Sequence, residues 1–306
     1  MIENILLVGT QVVILFILIA IGVVCNKTKI LTSKSLKDIT NLVLYIITPC
    51  VIINSYNREF DLSMLKGLLI TIIATLLSFA ANILIAHLVI KDSDKKREAV
   101  LRFGAVFSNC GYMSLPLQQA LLGDEGVFYC ATYVAIFQIM LWTYGIIVMS
   151  GDIKNLNPKK MILNPGVLST LIGIIIFILP ITLPKIIIEP VKYLAALNTP
   201  LPMIIIGFYL ATSSFNIKGF NIYLSFFLRL IASPILMLII VYAFGIRGSL
   251  LVSSVISASA PVAAVSTMFS EKFNSDTPLS ATMVSISTVL SILTMPLIIG
   301  FTMMLA

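Results

Sequence analysis

Two short polar segments interrupt apolar stretches of this chain, and both contain residue types that can bind an anion. The first reads SNCGYMSLP at 108–116, and the second centres on Ser259-Ala260-Pro261. Asparagine and serine side chains donate hydrogen bonds, and a helix interrupted by proline leaves backbone N–H groups free to do the same. Such donors suit a carboxylate, so the two segments form the candidate binding site.

The predicted binding residues are short polar side chains near these interruptions, namely Ser108, Asn109, Ser114, Ser259 and Ser266. Because proline lacks an amide hydrogen and suits the first position of a helix, we expect half-helices to begin at Pro116 and at Pro261. Ser114 and Ser259 would then accept hydrogen bonds from free amides at those starts. Gly111 adds backbone freedom, and with the two prolines it forms the predicted hinge.

The physical basis of this site is the charge at a helix end. A helix N-terminus carries about half a positive elementary charge, and its first N–H groups have no partner within the helix. Two such ends meeting inside a membrane would hold a carboxylate without a lysine. The alternative is a pair of packed proline kinks, which are common in membrane helices. The matched positions of the two kinks favour the binding site.

The acidic residues argue against other chemistries. All 13 aspartates and glutamates fall in predicted loops or near the ends of predicted spans, and the chain has one histidine. Proton relays and cation exchangers rely on carboxylates within the membrane, and a metal site needs clustered ligands. Catalytic motifs are also missing from the sequence. We therefore expect no enzyme, no metal site and no cofactor.

The elements that must position these residues are membrane helices. Of the 306 residues 59% are hydrophobic and 11% are charged, and the mean hydropathy is +1.07. Soluble domains carry about 25% charged residues. Apolar runs long enough to cross a bilayer recur along the chain. The predicted spans are 4–25, 39–56, 65–90, 98–121, 126–150, 163–183, 191–213, 220–245, 248–270 and 277–305.

Basic residues indicate the orientation of these spans. Loops after the odd-numbered spans hold most of the 20 lysines and arginines, whereas the alternate loops hold Arg58, Lys66, Lys185, Lys192 and Arg247. The positive-inside rule then places both termini outside the cell (plasma) membrane. The net charge of +7 is a topology signal, aided by contact with anionic lipid, so no nucleic-acid partner is expected.

The spans divide into five and five, and an odd number per half gives the halves opposite orientations. Thr48-Pro49 in the second span corresponds to Thr199-Pro200 in the seventh, as Pro116 in the fourth corresponds to Pro261 in the ninth. We therefore expect two inverted repeats, residues 1–151 and 152–306.

Two polar residues inside predicted spans each have two interpretations. Arg229, in the eighth span, either neutralises an anionic substrate or extends its charge toward the cytoplasmic side. Gln138, in the middle of the fifth span, is either a further binding residue or one partner of a hydrogen bond between helices.

Several motifs, in order, give the chain a resemblance to the auxin efflux carrier family, which contains the plant PIN exporters and prokaryotic organic-acid carriers. The matching segments are NLVLYIITPCVIINS in span two, SNCGYMSLPL in span four, NPGVLSTLIGIII opening span six, LNTPLPMIIIGFYLA in span seven and SAPVAAVSTMFSEKFNSDTPLSATMVSISTVLSILTMPLI across spans nine and ten. The similarity extends over almost the whole chain.

That resemblance implies the fold of bile-acid/sodium symporters, an all-α integral membrane protein of ten transmembrane helices in two inverted five-helix repeats. Spans one, two, six and seven would form a scaffold, which forms a homodimer in PIN proteins. Spans three to five and eight to ten would form a transport bundle, whose broken helices four and nine cross at Pro116 and Pro261. Asn109 would be a polar residue on the substrate side of the crossing.

Together these features predict a secondary transporter of a small organic anion, a carboxylate such as malate, malonate or an auxin-like acid. Its bundle would move against the scaffold in an elevator or rocking motion that gives alternating access. A sodium-coupled organic-anion symporter is the first alternative, because freed carbonyls and the amides of Asn109, Gln118 and Gln119 can coordinate sodium. A membrane receptor that transports nothing is the second.

Overall fold

The computed structural model describes residues 2–156, 163–179, 181, 183–212 and 219–306. Apart from one isolated β-bridge, the regular structure in these ranges is helical, which confirms the predicted all-α class. Seven helical stretches within them are long and apolar enough to cross a membrane. Two shorter apolar helices, Pro165–Ile178 and Gly248–Ser259, accompany them.

The first half of the chain begins with three long helices, α1 (Ile2–Lys27), α2 (Ser33–Tyr56) and α3 (Leu62–Val89). Helix α4 (Lys95–Val106) ends at a short non-helical segment. The helical stretch Cys110–Ser150 follows, and its 41 residues are about twice the number that a bilayer needs. Gly123 interrupts it with φ 62° and ψ −152°, so we divide it into α5 (110–122) and α6 (124–150).

The second half comprises α7 (Pro165–Ile178), α8 (Lys185–Ala196), α9 (Pro200–Thr212), α10 (Phe220–Ala243), α11 (Gly248–Ser259), α12 (Val265–Lys272) and α13 (Thr277–Leu305). Side-chain caps fix several helix starts in both halves. Asp61, Asp94, Asn164 and Asp276 each accept a hydrogen bond from a backbone N–H in the first turn of α3, α4, α7 and α13.

Most predicted spans correspond to these helices, with differences at the ends. Helix α2 begins at Ser33 and not at residue 39, because Thr32 and Ser35 form a capping box that starts the helix before the apolar run. Helix α8 begins at Lys185 and not at residue 191. The end of the predicted sixth span and residue 213 of the seventh lie at or beyond the limits of the described residues.

Three prolines follow π-helical turns, and at one of them, Pro116, the sequence predicted the start of a half-helix. Pro49, Pro116 and Pro234 follow the π turns Val43–Ile47, Cys110–Ser114 and Leu228–Ala232. In each case the residue before the proline donates its N–H to the carbonyl five positions back, as Leu115 does to Cys110. The prediction that a half-helix begins at Pro116 is therefore wrong, since the helix begins at Cys110 and continues past the proline.

Close backbone contact holds α1 against α9 and α13. A Cβ atom added to Gly22 would collide with the carbonyl oxygen of Ile204, and one added to Gly207 would collide with that of Ile19. At Gly300 of α13 the added atom would lie 2.9 Å from the Cα atom of Ile5. Lipid provides no hydrophobic drive between helices, so such small-residue contacts are what stabilise their packing in a membrane.

Candidate functional site

Two interrupted helices cross inside the fold. The segment between α4 and α5 passes the segment between α11 and α12, and the two form an antiparallel bridge between Ser108 and Val262. The Asn109 N–H donates to the carbonyl of Pro261 at 2.7 Å. Ser108 and Val262 are fully buried. The bridge therefore satisfies backbone groups that an interrupted helix would otherwise leave unpaired away from water.

The segment after α11 has two further attachments. The Ala263 N–H donates to the carbonyl of Phe107 at 3.0 Å, and the Val262 N–H donates to the hydroxyl of Ser287 in α13 at 3.0 Å. Pro261 thus lies at the crossing, in non-helical backbone. The prediction that a half-helix begins at Pro261 is wrong, because α12 begins at Val265. Hydrogen bonds to the neighbouring segment hold the chain out of a helix up to that residue.

Asn109 joins the crossing to the start of α5. The residue is 5% exposed, and its Nδ2 atom has no hydrogen-bond partner among the described residues. Its backbone is fully used, since the carbonyl accepts from the Met113 N–H at 3.0 Å while the N–H serves the bridge. A buried amide donor left unpaired costs about 1–3 kcal/mol. Nδ2 is therefore available to a ligand that offers an oxygen.

Open space lies two residues further along the chain, at Gly111. Gly111 lies in the first turn of α5, and a Cβ atom added there would have no heavy atom within 4 Å. The first N–H groups of a helix have no helical carbonyl to bond to, and they carry the positive end of the helix dipole. Asn109, the first turn of α5 and the space beside Gly111 thus form one candidate anion site.

The predicted binding serines lie around the crossing, but their hydroxyls already have partners. Ser108 Oγ lies 3.5 Å from the hydroxyl of Tyr133, and Ser266 Oγ lies 2.8 Å from that of Ser280 in α13. Both serines are fully buried. They connect the crossing to α6 and α13, and a ligand would have to compete for their hydrogen bonds.

Ser114 and Ser259 make contacts opposite to those expected. Ser114 Oγ donates to the carbonyl of Ile256 at 3.1 Å, and Ser259 Oγ donates to that of Val255 at 2.6 Å. The prediction that they serve amides at half-helix starts is wrong. The carbonyl of Ile256 lies in the last turn of α11 and needs a donor, whereas α5 continues through residue 114. Ser259 bonds to the carbonyl four residues back, as serines within a helix do.

Gln138 forms a hydrogen bond between helices, which was one of the two roles predicted for it. Its Oε1 accepts from Nδ2 of Asn164, the N-cap of α7, at 3.3 Å. This hydrogen bond joins α6 to the start of α7. It does not involve a residue of the crossing. The structure brings Ser108, Asn109 and Pro261 together and leaves Gln138 elsewhere.

Arg229 is the site residue whose role the sequence left undecided. It is fully buried in α10, so the interpretation in which it extends toward the cytoplasmic side is wrong. Nη1 donates to the carbonyl of Val106 at 2.7 Å, and Nη2 donates to the carbonyl of Ala258 and to Ser233 Oγ, the latter at 2.8 Å. Arg229 therefore bonds to both interrupted helices just before their breaks.

The glutamines proposed as sodium ligands have protein partners. Gln118 donates from Nε2 to Ser257 Oγ at 2.9 Å and accepts from Ser253 Oγ at 2.5 Å, both in α11. Gln119 Nε2 donates to Asp124 Oδ1 at 3.1 Å. Gln118 thus fixes α5 against α11, and nothing in this geometry favours an ion between the amides.

A cavity of about 240 Å³ lies beside Pro116 and was missed by the sequence reasoning. Its lining combines residues of α2, α5 and α8, including Asn54, Gln119 and Lys192. Asn198 also lines it and accepts a hydrogen bond from Thr48 Oγ1 at 3.3 Å. The matched Thr-Pro motifs were the one sequence signal for this region, because Thr48 of α2 bonds to Asn198 next to the second motif at the start of α9.

The helices, the crossing and the apolar composition define a polytopic membrane protein, and comparison with known families specifies its class. A family model described as a membrane transport protein matches residues 7–159 and 152–299. The chain belongs to this family, that of the auxin efflux carriers, and is a transporter and not an enzyme. The resemblance found in the sequence is confirmed.

Two archaeal proteins, each described as an uncharacterized transporter, are similar along nearly their whole length. The one from Methanothermobacter thermautotrophicus is 24% identical over 92% of this chain and 94% of the relative. The one from Methanocaldococcus jannaschii is 24% identical over 94% of this chain and 96% of the relative.

Proposed function

We propose that this transporter carries a small organic anion, a carboxylate such as malate, malonate or an auxin-like acid, across the cell membrane. One observation carries the proposal: Asn109 at the crossing has a buried Nδ2 without a partner among the described residues, and two residues later Gly111, in the first turn of α5, has open space where a side chain would lie. One carboxylate oxygen would accept from Asn109, and the other from first-turn N–H groups of α5. The receptor alternative is dropped, because the chain belongs to a transport family.

The proposed architecture has ten spans in two inverted repeats, residues 1–151 and 152–306. The stretch Cys110–Ser150 would cross the membrane on both sides of Gly123, while α4 with α5, α8 with α9, and α11 with α12 would each form one interrupted span. The bridge between Ser108 and Val262 supports this scheme, because it joins the fourth span to the ninth. The two family-model matches, which meet at 152–159, support the boundary.

Transport would proceed by movement of α3–α6 and α10–α13 against a scaffold of α1, α2 and α7–α9. The cavity beside Pro116 supports this division, since its lining combines residues of α5 with residues of α2 and α8. Sliding or rocking of the bundle would open and close such a space and expose the crossing to each side in turn. The family resemblance further suggests a homodimer through the scaffold, and the loop charges suggest termini outside the cell.

Ligand-dependent thermal stability of the purified protein tests the proposal. A bound carboxylate at 100 times its Kd should stabilise the fold by about 2.7 kcal/mol. Asn109→Ala should abolish this stabilisation without lowering the stability of the ligand-free protein, because Nδ2 has no protein partner to lose. Gln138→Ala is the matched control, since its amide bonds to Asn164, and it should leave ligand stabilisation intact.

Counterflow of the same carboxylate in proteoliposomes completes the test. Transport by the wild type and by Gln138→Ala, with none by Asn109→Ala, would support the proposed site. Unchanged ligand affinity in Asn109→Ala would show that the anion binds elsewhere. A panel of carboxylates that neither stabilises the wild type nor exchanges across the membrane would refute the proposed substrate class.

A further inference from the structure

A single arginine joins the C-terminal ends of both broken helices. Val106 is the last residue of α4, and Ala258 is the penultimate residue of α11. Arg229 of α10 donates to the carbonyls of both. Val106 lies three residues before Asn109 and Ala258 three residues before Pro261, and the Asn109 N–H donates to the carbonyl of Pro261. The guanidinium therefore sits at corresponding points of the two interrupted spans.

Arg229 is a permanent positive charge without an acidic partner. A guanidinium cannot be deprotonated in proteins. The ion pairs within the described part of the chain involve other basic residues, so Arg229 faces no carboxylate there. Its partners are two carbonyls and the hydroxyl of Ser233, and its Nε has no partner among the described residues. The compensating negative charge must come from the helix ends.

The charges of the half-helix ends at the crossing can be added up. The C-terminal ends of α4 and α11 each carry about half a negative charge, which together balance the one positive charge of Arg229. The N-terminal ends of α5 and α12 each carry about half a positive charge, and nothing in the crossing balances them. About one positive charge remains, beside the unpaired amide of Asn109.

We propose that Arg229 is a resident cation of this transporter, which takes the place of a coupling ion and sets the site to bind one monovalent anion without sodium. In carriers with discontinuous helices, freed carbonyls and C-terminal half-helix ends coordinate the coupling cation. Here the guanidinium already binds those carbonyls. The inference rests on the proposed function and deepens it, because it names the charge class of the substrate.

The surroundings hold the guanidinium in place. Ser233 Oγ accepts from Arg229 Nη2 at 2.8 Å and from Asn82 Nδ2 of α3 at 3.1 Å. Asn82 also lies 3.2 Å from Ser78 Oγ. Ser233→Ala therefore removes a positioning hydrogen bond while keeping the charge, which makes it a control for structural damage around Arg229.

The test measures Kd values of the purified protein for a panel of mono- and dicarboxylates, in sodium chloride and in choline chloride. The tightest wild-type ligand should carry one negative charge and bind equally in both salts. Arg229→Gln should weaken that binding by about tenfold or more, as expected for loss of a nearby charge in a low-dielectric site. Arg229→Lys, which keeps the charge but not the forked contacts, should retain more of that binding than Arg229→Gln, and Ser233→Ala should bind nearly as well as the wild type.

Chemical rescue distinguishes a cation role from a packing role. In Arg229→Ala, millimolar guanidinium chloride should restore much of the lost carboxylate affinity, whereas the same concentration of urea, a neutral molecule of similar shape, should not. Restoration by both compounds would indicate that the side chain only fills space.

Two further outcomes overturn the inference while leaving the proposed function standing. One is a wild-type Kd that falls when sodium replaces choline, a comparison that needs no variant to fold. The other is equal carboxylate binding by folded Arg229→Gln and wild type. Failure of every carboxylate in the panel to bind wild type would instead refute the proposed function itself.

Discussion

Replacing Gly111 by leucine should separate ligand binding from folding. A Cβ atom at Gly111 meets no heavy atom within 4 Å, and the residue does not have the positive φ that favours glycine. Leucine is a better helix former than glycine by roughly 0.6–0.8 kcal/mol. The ligand-free protein should therefore be as stable as the wild type or more so, while the new side chain fills the space proposed for the carboxylate.

Gly111→Leu should lose the stabilisation that a bound carboxylate gives to the wild type. Stabilisation by a carboxylate at 100 times the wild-type Kd, about 2.7 kcal/mol, should fall to near zero in Gly111→Leu. Thermal unfolding with and without ligand measures both terms on one sample. Gly9→Leu is the matched control, because a Cβ at Gly9 in α1 also meets nothing within 4 Å. It should keep the ligand effect.

Two results would refute this reasoning. Full ligand stabilisation in Gly111→Leu would mean that the space beside α5 is not the binding site. Ligand-free destabilisation by more than about 1 kcal/mol, absent from Gly9→Leu, would mean that the residue at 111 serves packing in the folded protein, since an open helical position tolerates leucine.

Two further predictions concern stability. Gly207→Ala should destabilise the protein by about 1–3 kcal/mol, because the new methyl group meets the carbonyl of Ile19 across the α1–α9 contact. Gly9→Ala is the control and should not destabilise it, because a Cβ there has no such neighbour. Equal melting curves for the two variants would contradict the close packing. Acid should also destabilise the loop after α3, through Asp92. Burial raises the pKa of Asp92, but hydrogen bonds from the Asp94 N–H and from Asn221, together with the charge of Arg97, lower it by more, so the net shift of the pKa is downward. The stability that this carboxylate adds is present above its unfolded pKa of about 3.9 and is lost as the pH falls below it. In denaturant unfolding, the free energy of unfolding of Asp92→Asn should therefore fall less over that pH window than that of the wild type. An equal fall in both proteins would assign the effect to other groups.

The sequence was informative about where the membrane helices lie and which of them are interrupted. Apolar runs and charged loops predicted elements that the structure contains, and the polar segments around Asn109 and Pro261 do meet. Patterns of this kind are local, so they survive in a single sequence. The position of the break in the fourth span was predicted incorrectly because proline was taken to end the helix. The chain instead forms a π turn before Pro116 and breaks at Phe107–Asn109, where the partner segment supplies hydrogen bonds.

The contacts of the polar side chains could not be read from sequence. Ser114 and Gln118 were considered as ligands for a substrate or an ion, yet both bond to α11. Their partners lie more than 130 positions away along the chain, and only the tertiary structure brings them together. The same holds for Arg229, whose carbonyl partners become free because two other helices end there.

The proposed charge balance at the crossing also accounts for the absence of acidic residues from the middle of the predicted spans. A carboxylate near Asn109 would neutralise the positive helix ends and compete with an anionic ligand for the same donors. A carboxylate beside Arg229 would leave the C-terminal carbonyls of α4 and α11 without their cation. Either change would remove the excess positive charge on which the proposed anion binding depends. An arginine held by carbonyls and a neutral hydroxyl keeps that excess, because peptide dipoles compensate the guanidinium and leave the opposite helix ends available to the substrate.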